Sequence, residues 1–317
     1  MSAVPSAPTL ITVLAGGVGA ARFLQGLLDV VPPAEVTAIV NVGDDLVLHG
    51  LHISPDLDTV TYTLAGAINP ETGWGLGGET WQAMASLEHY GGHSWFRLGD
   101  RDLGTHLYRT QRLAEGAALS TVTDEIVRAW NLQLRLLPAS DDVVRTMVTV
   151  EGEGEIGFQD YFVGRQHSVA VTSVRIDGAA EAQPAPGVLE AIGDADVLVI
   201  APSNPIVSIG PVLAINGVRA AVVARRARNV AVSPIVAGAA LKGPADRMLR
   251  ELGHEPSVVG VAKLYAELAS ILVVDEADAA LASDVEAAGM ECLVVPTVMS
   301  SPAVAASLAR ATVEAVG

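Results

Sequence analysis

The stretch from Thr9 to Asp45 restricts the fold more than any other part of the chain. Thr9 to Ala15 (Thr-Leu-Ile-Thr-Val-Leu-Ala) is short, apolar and β-branched, which predicts a buried strand. Gly16-Gly17-Val18-Gly19 follows at once, and Ala20, Phe23, Leu24, Leu27, Leu28 and Val31 then recur at helical spacing until Pro32-Pro33. Val36 to Val42 predicts a second buried strand, ending in Gly43-Asp44-Asp45. A strand–glycine loop–helix–strand opening favours a parallel sheet with helices packed on it. The same alternation returns in the last third, with strands expected at Val197–Ala201, Val230–Ser233, Ile271–Val274 and Leu293–Val295. Helices are expected between and after them, at Gly210–Ala227, Pro244–Leu252, Ala277–Ala288 and Pro302–Val316, with Gly253 and Gly289 as C-terminal caps. The expected fold class is α/β, a Rossmann-like three-layer core with a mostly parallel sheet.

The middle third has a different texture. Glu79–Tyr90, Leu103–Ala114 and Thr123–Asn131 read as helices, Val144–Val150 and Val169–Ile176 as strands. Residues 69–187 are therefore expected to form an inserted mixed α/β cap, with residues 1–68 and 188–317 as the discontinuous nucleotide-binding core. Trp74, Trp81 and Trp95 fall in this cap, either packing it or walling a flat ring.

Charge limits the ligands. The chain of 317 residues carries a formal net charge of −17, against bulk nucleic-acid binding, which needs Lys and Arg to displace phosphate counterions. Lys242 and Lys263 are the only lysines, so an anionic ligand has to rely on Arg, backbone N–H groups, helix N-termini or a metal. No apolar run is long enough to span a membrane, and Met1–Thr9 has no basic residue or apolar signal core, so the expectation is a cytoplasmic protein. Cys292 is the single cysteine, which excludes an intramolecular disulfide and a thiolate zinc cluster.

Six segments carry the chemistry. The glycine loop, with Gly16, Gly17 and Gly19, opens a helix and either approaches a phosphate or is a tight turn. Arg22 stands where a dinucleotide fingerprint has its third glycine. Asp44 and Asp45 end the next strand, either as oxygen ligands for Mg²⁺ or as a solvated turn. In Ser54-Pro55-Asp56-Leu57-Asp58-Thr59, Ser54 is the expected N-cap, Pro55 the first helical residue, and Asp56 is favoured by the helix dipole. Asp58 lies a full turn in and shares a face with Tyr62, which makes both crevice-facing candidates. Gly99-Asp100-Arg101-Asp102, followed by His106 and Arg109, reads first as an exposed cap and salt-bridge set. Pro202-Ser203-Asn204-Pro205 and Ser233-Pro234-Ile235 end two later strands, where Asn204 meets a base or ribose and Ser233 a phosphate, or both are turn chemistry.

Taken in order, these segments resemble the 2-phospho-L-lactate transferase family (CofD, called FbiA in actinobacteria) over about residues 10 to 300. The resemblance implies a homodimeric, Mg²⁺-dependent enzyme of coenzyme F(420) biosynthesis. In such an enzyme the ribityl hydroxyl of the deazaflavin Fo attacks the phosphate beside a GMP leaving group of a GDP-linked lactyl or enolpyruvyl donor. On that reading Asp45, with Asp44 or Asp58, holds the metal, and Asp45 and Asp58 are the catalytic acids. Asp58, Tyr62 and Arg97 or Arg101 hold Fo, and Gly16, Gly17, Gly19, Ser203, Asn204 and Ser233 hold the nucleotide. The competing expectation is a non-enzymatic, nucleotide-sugar-binding regulator of the gluconeogenesis-factor type, against which the Asp56–Thr59 and Gly99–Asp102 segments count.

Overall fold

A computed structural model describes residues 9–316. The expectation about the leader therefore falls almost wholly outside the described residues.

Seven strands form one sheet: β1 (Ile11–Ala15), β2 (Val36–Val40), β3 (Arg135–Pro138), β4 (Val197–Ile200), β5 (Asn229–Val232), β6 (Ile271–Val274) and β7 (Glu291–Val294). Their spatial order is β7-β6-β5-β4-β1-β2-β3, and every pairing is parallel. The sheet therefore runs outward in both directions from β1 and β4, and ligands of such sheets gather at the carboxyl ends where the order reverses. β1, β4, β5 and β6 are buried along their whole length, as parallel strands covered on both faces must be. Helix α1 (Gly17–Leu28) turns Phe23, Leu24 and Leu27 inward and packs against α2 (Pro55–Leu64) and the last helix, Pro302–Glu314. No single helix among the described residues is long and apolar enough to cross a membrane.

The cap is less separate than its sequence implies. It contributes α3 (Gln82–His89), α4 (Asp102–Ala114) and α5 (Leu119–Ala129), then a small antiparallel sheet of Arg145–Val150, Gly154–Gly157 and Val171–Asp177. Between α5 and that sheet, β3 pairs Thr37 with Arg135 and Val40 with Pro138 at the edge of the main sheet. The boundary expected at 69–187 is thus corrected, because a core strand lies inside it. The single helix expected at Gly210–Ala227 is two, Gly210–Ala214 and Val218–Ala224, broken where Gly217 takes φ 79°, and the whole helical stretch Pro205–Ala214 meets the second at 98°. Ala277–Ala288 starts as a 3₁₀ turn before its last residues become α-helical. The helices Val188–Asp194 and Val258–Tyr265 were not anticipated.

Candidate active site

Four loops meet at the carboxyl ends of β1, β2, β4 and β5. Asn41, fully buried, organises the centre: its Oδ1 accepts from the Gly43 N–H at 2.8 Å and its Nδ2 donates to Asp56 Oδ2 at 2.9 Å. The Asp56 carboxylate also lies against the glycine loop, with Oδ1 3.6 Å from where a Cβ on Gly17 would stand and Oδ2 3.1 Å from one on Gly16. On the other side, Ser203 Oγ donates to the Gly16 carbonyl at 2.7 Å. The glycine loop is therefore gripped from two sides by the protein itself. Gly17 has φ +69°, and a Cβ on Gly19 would run into the Pro202 carbonyl oxygen. Of the two alternatives for the loop, a phosphate contact or a tight turn, close approach within the chain accounts for the glycines by itself: Asp56 stands beside Gly17, and the Pro202 carbonyl leaves no room for a Cβ on Gly19.

Asp44 and Asp45 both keep a buried oxygen, Oδ1, without a hydrogen-bond partner. The other oxygen of Asp45, Oδ2, accepts from Ser54 Oγ at 2.7 Å. Ser54 does occupy the N-cap position of α2, but its side chain serves Asp45 and caps nothing. Burial raises Asp44, Asp45 and Asp56 above the ordinary carboxylate range, Asp56 to about 6, and neighbouring acids add to the rise at Asp44 and Asp45. Unpartnered oxygens on crowded, buried acids suit a hard divalent cation such as Mg²⁺, which takes one or two carboxylates alongside ligand phosphates. Asp44 and Asp45 fit that role.

Asp58 stands differently. Arg109 of α4 forks onto it: Nη1 donates to Oδ2 at 3.1 Å and Nη2 to Oδ1. Arg109 is buried, at 2% side-chain exposure, contrary to the exposed salt-bridge set expected for its segment. His106 lies between two acids, with Nδ1 3.7 Å from Asp58 Oδ2 and Nε2 3.4 Å from Asp102 Oδ2. Burial raises Asp102, but hydrogen bonding and charge from His106, with help from the Tyr62 hydroxyl, bring it below its usual value. Tyr62 is buried, and its hydroxyl donates to Asp102 Oδ1 at 2.6 Å and lies 2.7 Å from Thr105 Oγ1. The expectation that Tyr62 faces the crevice is corrected. Its helix face is covered by α4.

The other expected ligand residues are occupied by their own neighbours. Arg97 lies exposed with its guanidinium 4.4 Å from the centre of the Trp81 ring, and Arg101 donates to the Gly77 carbonyl. Neither is hydrogen-bonded to the acid cluster. Asn204 Oδ1 accepts from the N–H groups of Ile206 and Val207 at 2.9 and 3.4 Å, and Ser233 Oγ exchanges bonds with Ile235 at 3.0 and 3.1 Å. These are turn contacts, one of the two alternatives left open for both residues.

A cavity of about 290 Å³ opens on the acid cluster between core and cap. Asp44 and Asp45 line it, and Trp95, Arg145, Met147 and Phe158 supply cap residues around it. The cap is tied down here, since the Thr146 N–H donates to the Gly43 carbonyl at 2.6 Å. The reading of the sequence missed Asn41, Arg109 and Thr146 as parts of the site. Asn41 lies within the stretch Val36 to Val42 that reads as a strand, where nothing local marks its side chain as the hub.

A pH dependence follows. An unfolded Asp titrates near 3.9, and folded Asp56 titrates at about 6. Folding therefore raises this group, so its contribution to stability is complete below about pH 4 and is lost as pH rises through about 6. Asp44 and Asp45 act in the same direction. Thermal unfolding of EDTA-treated protein is expected to show this loss, with Asp56→Asn flattening it and Mg²⁺ raising the midpoint more at pH 7.5 than at pH 5. A Mg²⁺ effect independent of pH would contradict the cluster's role.

The geometry has sequence relatives. The family described as 2-phospho-L-lactate transferase CofD matches residues 11–297. The phosphoenolpyruvate transferase of Streptomyces griseus is 48% identical over 309 residues, covering 96% of this chain and 97% of that protein. Those of Kitasatospora aureofaciens and Mycolicibacterium smegmatis are 48% and 42% identical, covering 95% and 97% of this chain and 95% and 98% of their own length. A crystal structure of a UPF0052 family protein from Bacillus halodurans superimposes with a TM-score of 0.63 at 18% identity, covering 97% of this chain and 99% of that one. That likeness establishes the α/β fold and no more. The match over residues 11–297 and the relatives' near-complete coverage decide the class: the chain is a transferase and belongs to the 2-phospho-L-lactate transferase CofD family.

Proposed function

We propose that the protein acts in coenzyme F(420) biosynthesis, transferring a phosphoenolpyruvyl group from enolpyruvyl-diphospho-5'-guanosine to the deazaflavin Fo. The observation that carries this reading is the pair of unpartnered buried oxygens on Asp44 and Asp45, opening on a cavity beneath Trp95 and Phe158. A flat acceptor ring fits such walls, and a diphosphate donor needs the positive charge that two carboxylates with an open oxygen each can hold in place. The relatives' names favour the enolpyruvyl donor over its lactyl analogue.

In this reaction the ribityl hydroxyl oxygen bonds to the phosphorus bearing the enolpyruvyl group. The bond from that phosphorus to the GMP oxygen breaks, and the hydroxyl proton passes to the acid cluster or to water. Asp44 and Asp45 would hold Mg²⁺, which when bound supplies charge neutralisation at the donor diphosphate. Transfer of this kind depends on in-line placement and charge compensation more than on covalent help from the protein. Asp58 serves from the α2 side, its charge balanced by Arg109. A cytoplasmic homodimer that engages neither nucleic acid nor membrane belongs to the same proposal.

Mass spectrometry of the product formed from Fo with each donor tests it. The enolpyruvyl donor is expected to give dehydro-F(420)-0 with release of GMP, and Mg²⁺ removal is expected to stop the reaction. Absence of product with both donors would overturn the reading. Product from the lactyl donor alone would overturn the choice of donor.

A further inference from the structure

Arg109 comes from the cap and Asp58 from the core, and their ion pair is buried on both sides, at 2% and 8% side-chain exposure. The fork fixes the plane of the carboxylate as well as its distance. The Arg109 Nη1 also approaches the His52 carbonyl at 3.4 Å and His106 Nδ1 at 3.3 Å, while Nε has no partner. Burying such a pair costs desolvation of both charges, and apolar residues of similar volume often hold a fold as well or better. Stability alone therefore does not call for an arginine here.

Its position supplies a reason. The same first turn of α2 carries Asp56, which engages Asn41 and the glycine loop, and begins at Ser54, which donates to Asp45. Whatever fixes Asp58 also fixes the anchors of two other carboxylates. Arg109 is a fully buried cation at this turn, and it reaches the turn from the cap helix α4.

We propose that Arg109 is a positioning residue for the transfer reaction, acting across the cap–core boundary through Asp58 to hold the α2 turn on which the acid cluster is assembled. The inference rests on the function proposed above. Arg109 itself touches no substrate on this account.

The test is a double-mutant cycle of Arg109→Met and Asp58→Asn, with Arg109→Lys as a third variant, each measured for kcat, for KM of Fo and donor, and for melting temperature. Arg109→Met leaves the buried Asp58 carboxylate unpaired and is expected to lower the melting temperature, more than the double variant that removes both charges. Its folded fraction is expected to lose kcat by roughly 10²-fold, the scale of an ångström-sized misplacement, with donor KM little changed. Arg109→Lys is expected to recover only part of the rate, since an ammonium cannot fork. In the Asp58→Asn background, Arg109→Met is expected to add little further loss of kcat, because both changes remove one coupling. A wild-type kcat in Arg109→Met, or losses that multiply in the double variant, would overturn the inference. Should Arg109→Met not fold, full kcat in Arg109→Lys overturns it, and a loss of kcat in that folded variant supports it. A wild type inactive with both donors overturns the functional reading, and the inference with it.

Discussion

Asp45→Asn is expected to lower the transfer rate by roughly 10²–10³-fold, the scale of losing a group that compensates charge in the transition state. The substitution is nearly isosteric, and Ser54 Oγ can still donate to the amide oxygen, so the local hydrogen bond survives. What disappears is negative charge at a buried site where Asp44 and Asp45 each hold an unpartnered oxygen. The metal-free variant is also expected to be more stable than the wild type at neutral pH, because burial and neighbouring acids disfavour ionised Asp45. Loss of rate with a gain in melting temperature separates a functional carboxylate from a structural one. Rate assays, Mn²⁺ titration and thermal unfolding on one preparation check it. Full activity in the variant, or a wild-type rate unchanged in excess EDTA, would refute the assignment.

Gly19→Ala is expected to disturb the protein more than Gly17→Ala, the reverse of what a pure phosphate cradle would give. A Cβ on Gly19 would sit against the Pro202 carbonyl oxygen, well inside the 3.0 Å that real Cβ atoms keep. Both partners are backbone, so relief requires α1 to move off the end of β4, where Ser203 holds the Gly16 carbonyl. Overpacking of this kind costs about 1–3 kcal/mol or more. At Gly17 the nearest atom to a new Cβ is Asp56 Oδ1 at 3.6 Å, and the cost is the positive φ, about 1–2 kcal/mol. Melting temperatures and GDP calorimetry on the two variants decide the point. Equal stabilities, with GDP binding lost only in Gly17→Ala, would restore the cradle.

The sheet was legible because buried parallel strands are continuous apolar runs. Ile11–Ala15, Val197–Ile200 and Ile271–Val274 need no partner to be recognised. The strand at Arg135–Pro138 was not assigned to it, because it is short and sits among segments that read as an insertion. The helix Val258–Tyr265 was overlooked for a related reason: Val-Val-Gly-Val-Ala is weak helix-forming sequence, and tertiary burial decides it. At the site, Asp44 and Asp45 stood out because adjacent acids at a strand end are conspicuous. Arg109 did not, since its partner lies fifty-one positions away and burial is invisible along a chain. Asp56 was explained too easily by the helix dipole, and its contact with the glycine loop exists only in three dimensions.

The edge strand Arg135–Pro138 bears on how members of this family can be recombined. It lies between the helical and the sheet-forming halves of the cap, so a chimera exchanged at residues 69 and 187 would carry away the outermost strand of the recipient's own sheet. Val36–Val40 would then pair with a foreign edge, across a register in which Ala38 meets Leu136. Exchanges of cap segments between relatives are better cut twice, on either side of that strand. Grafts of residues 69–114 and 145–177 transplant the lobes around the crevice while leaving all seven strands with the sequence that folded them.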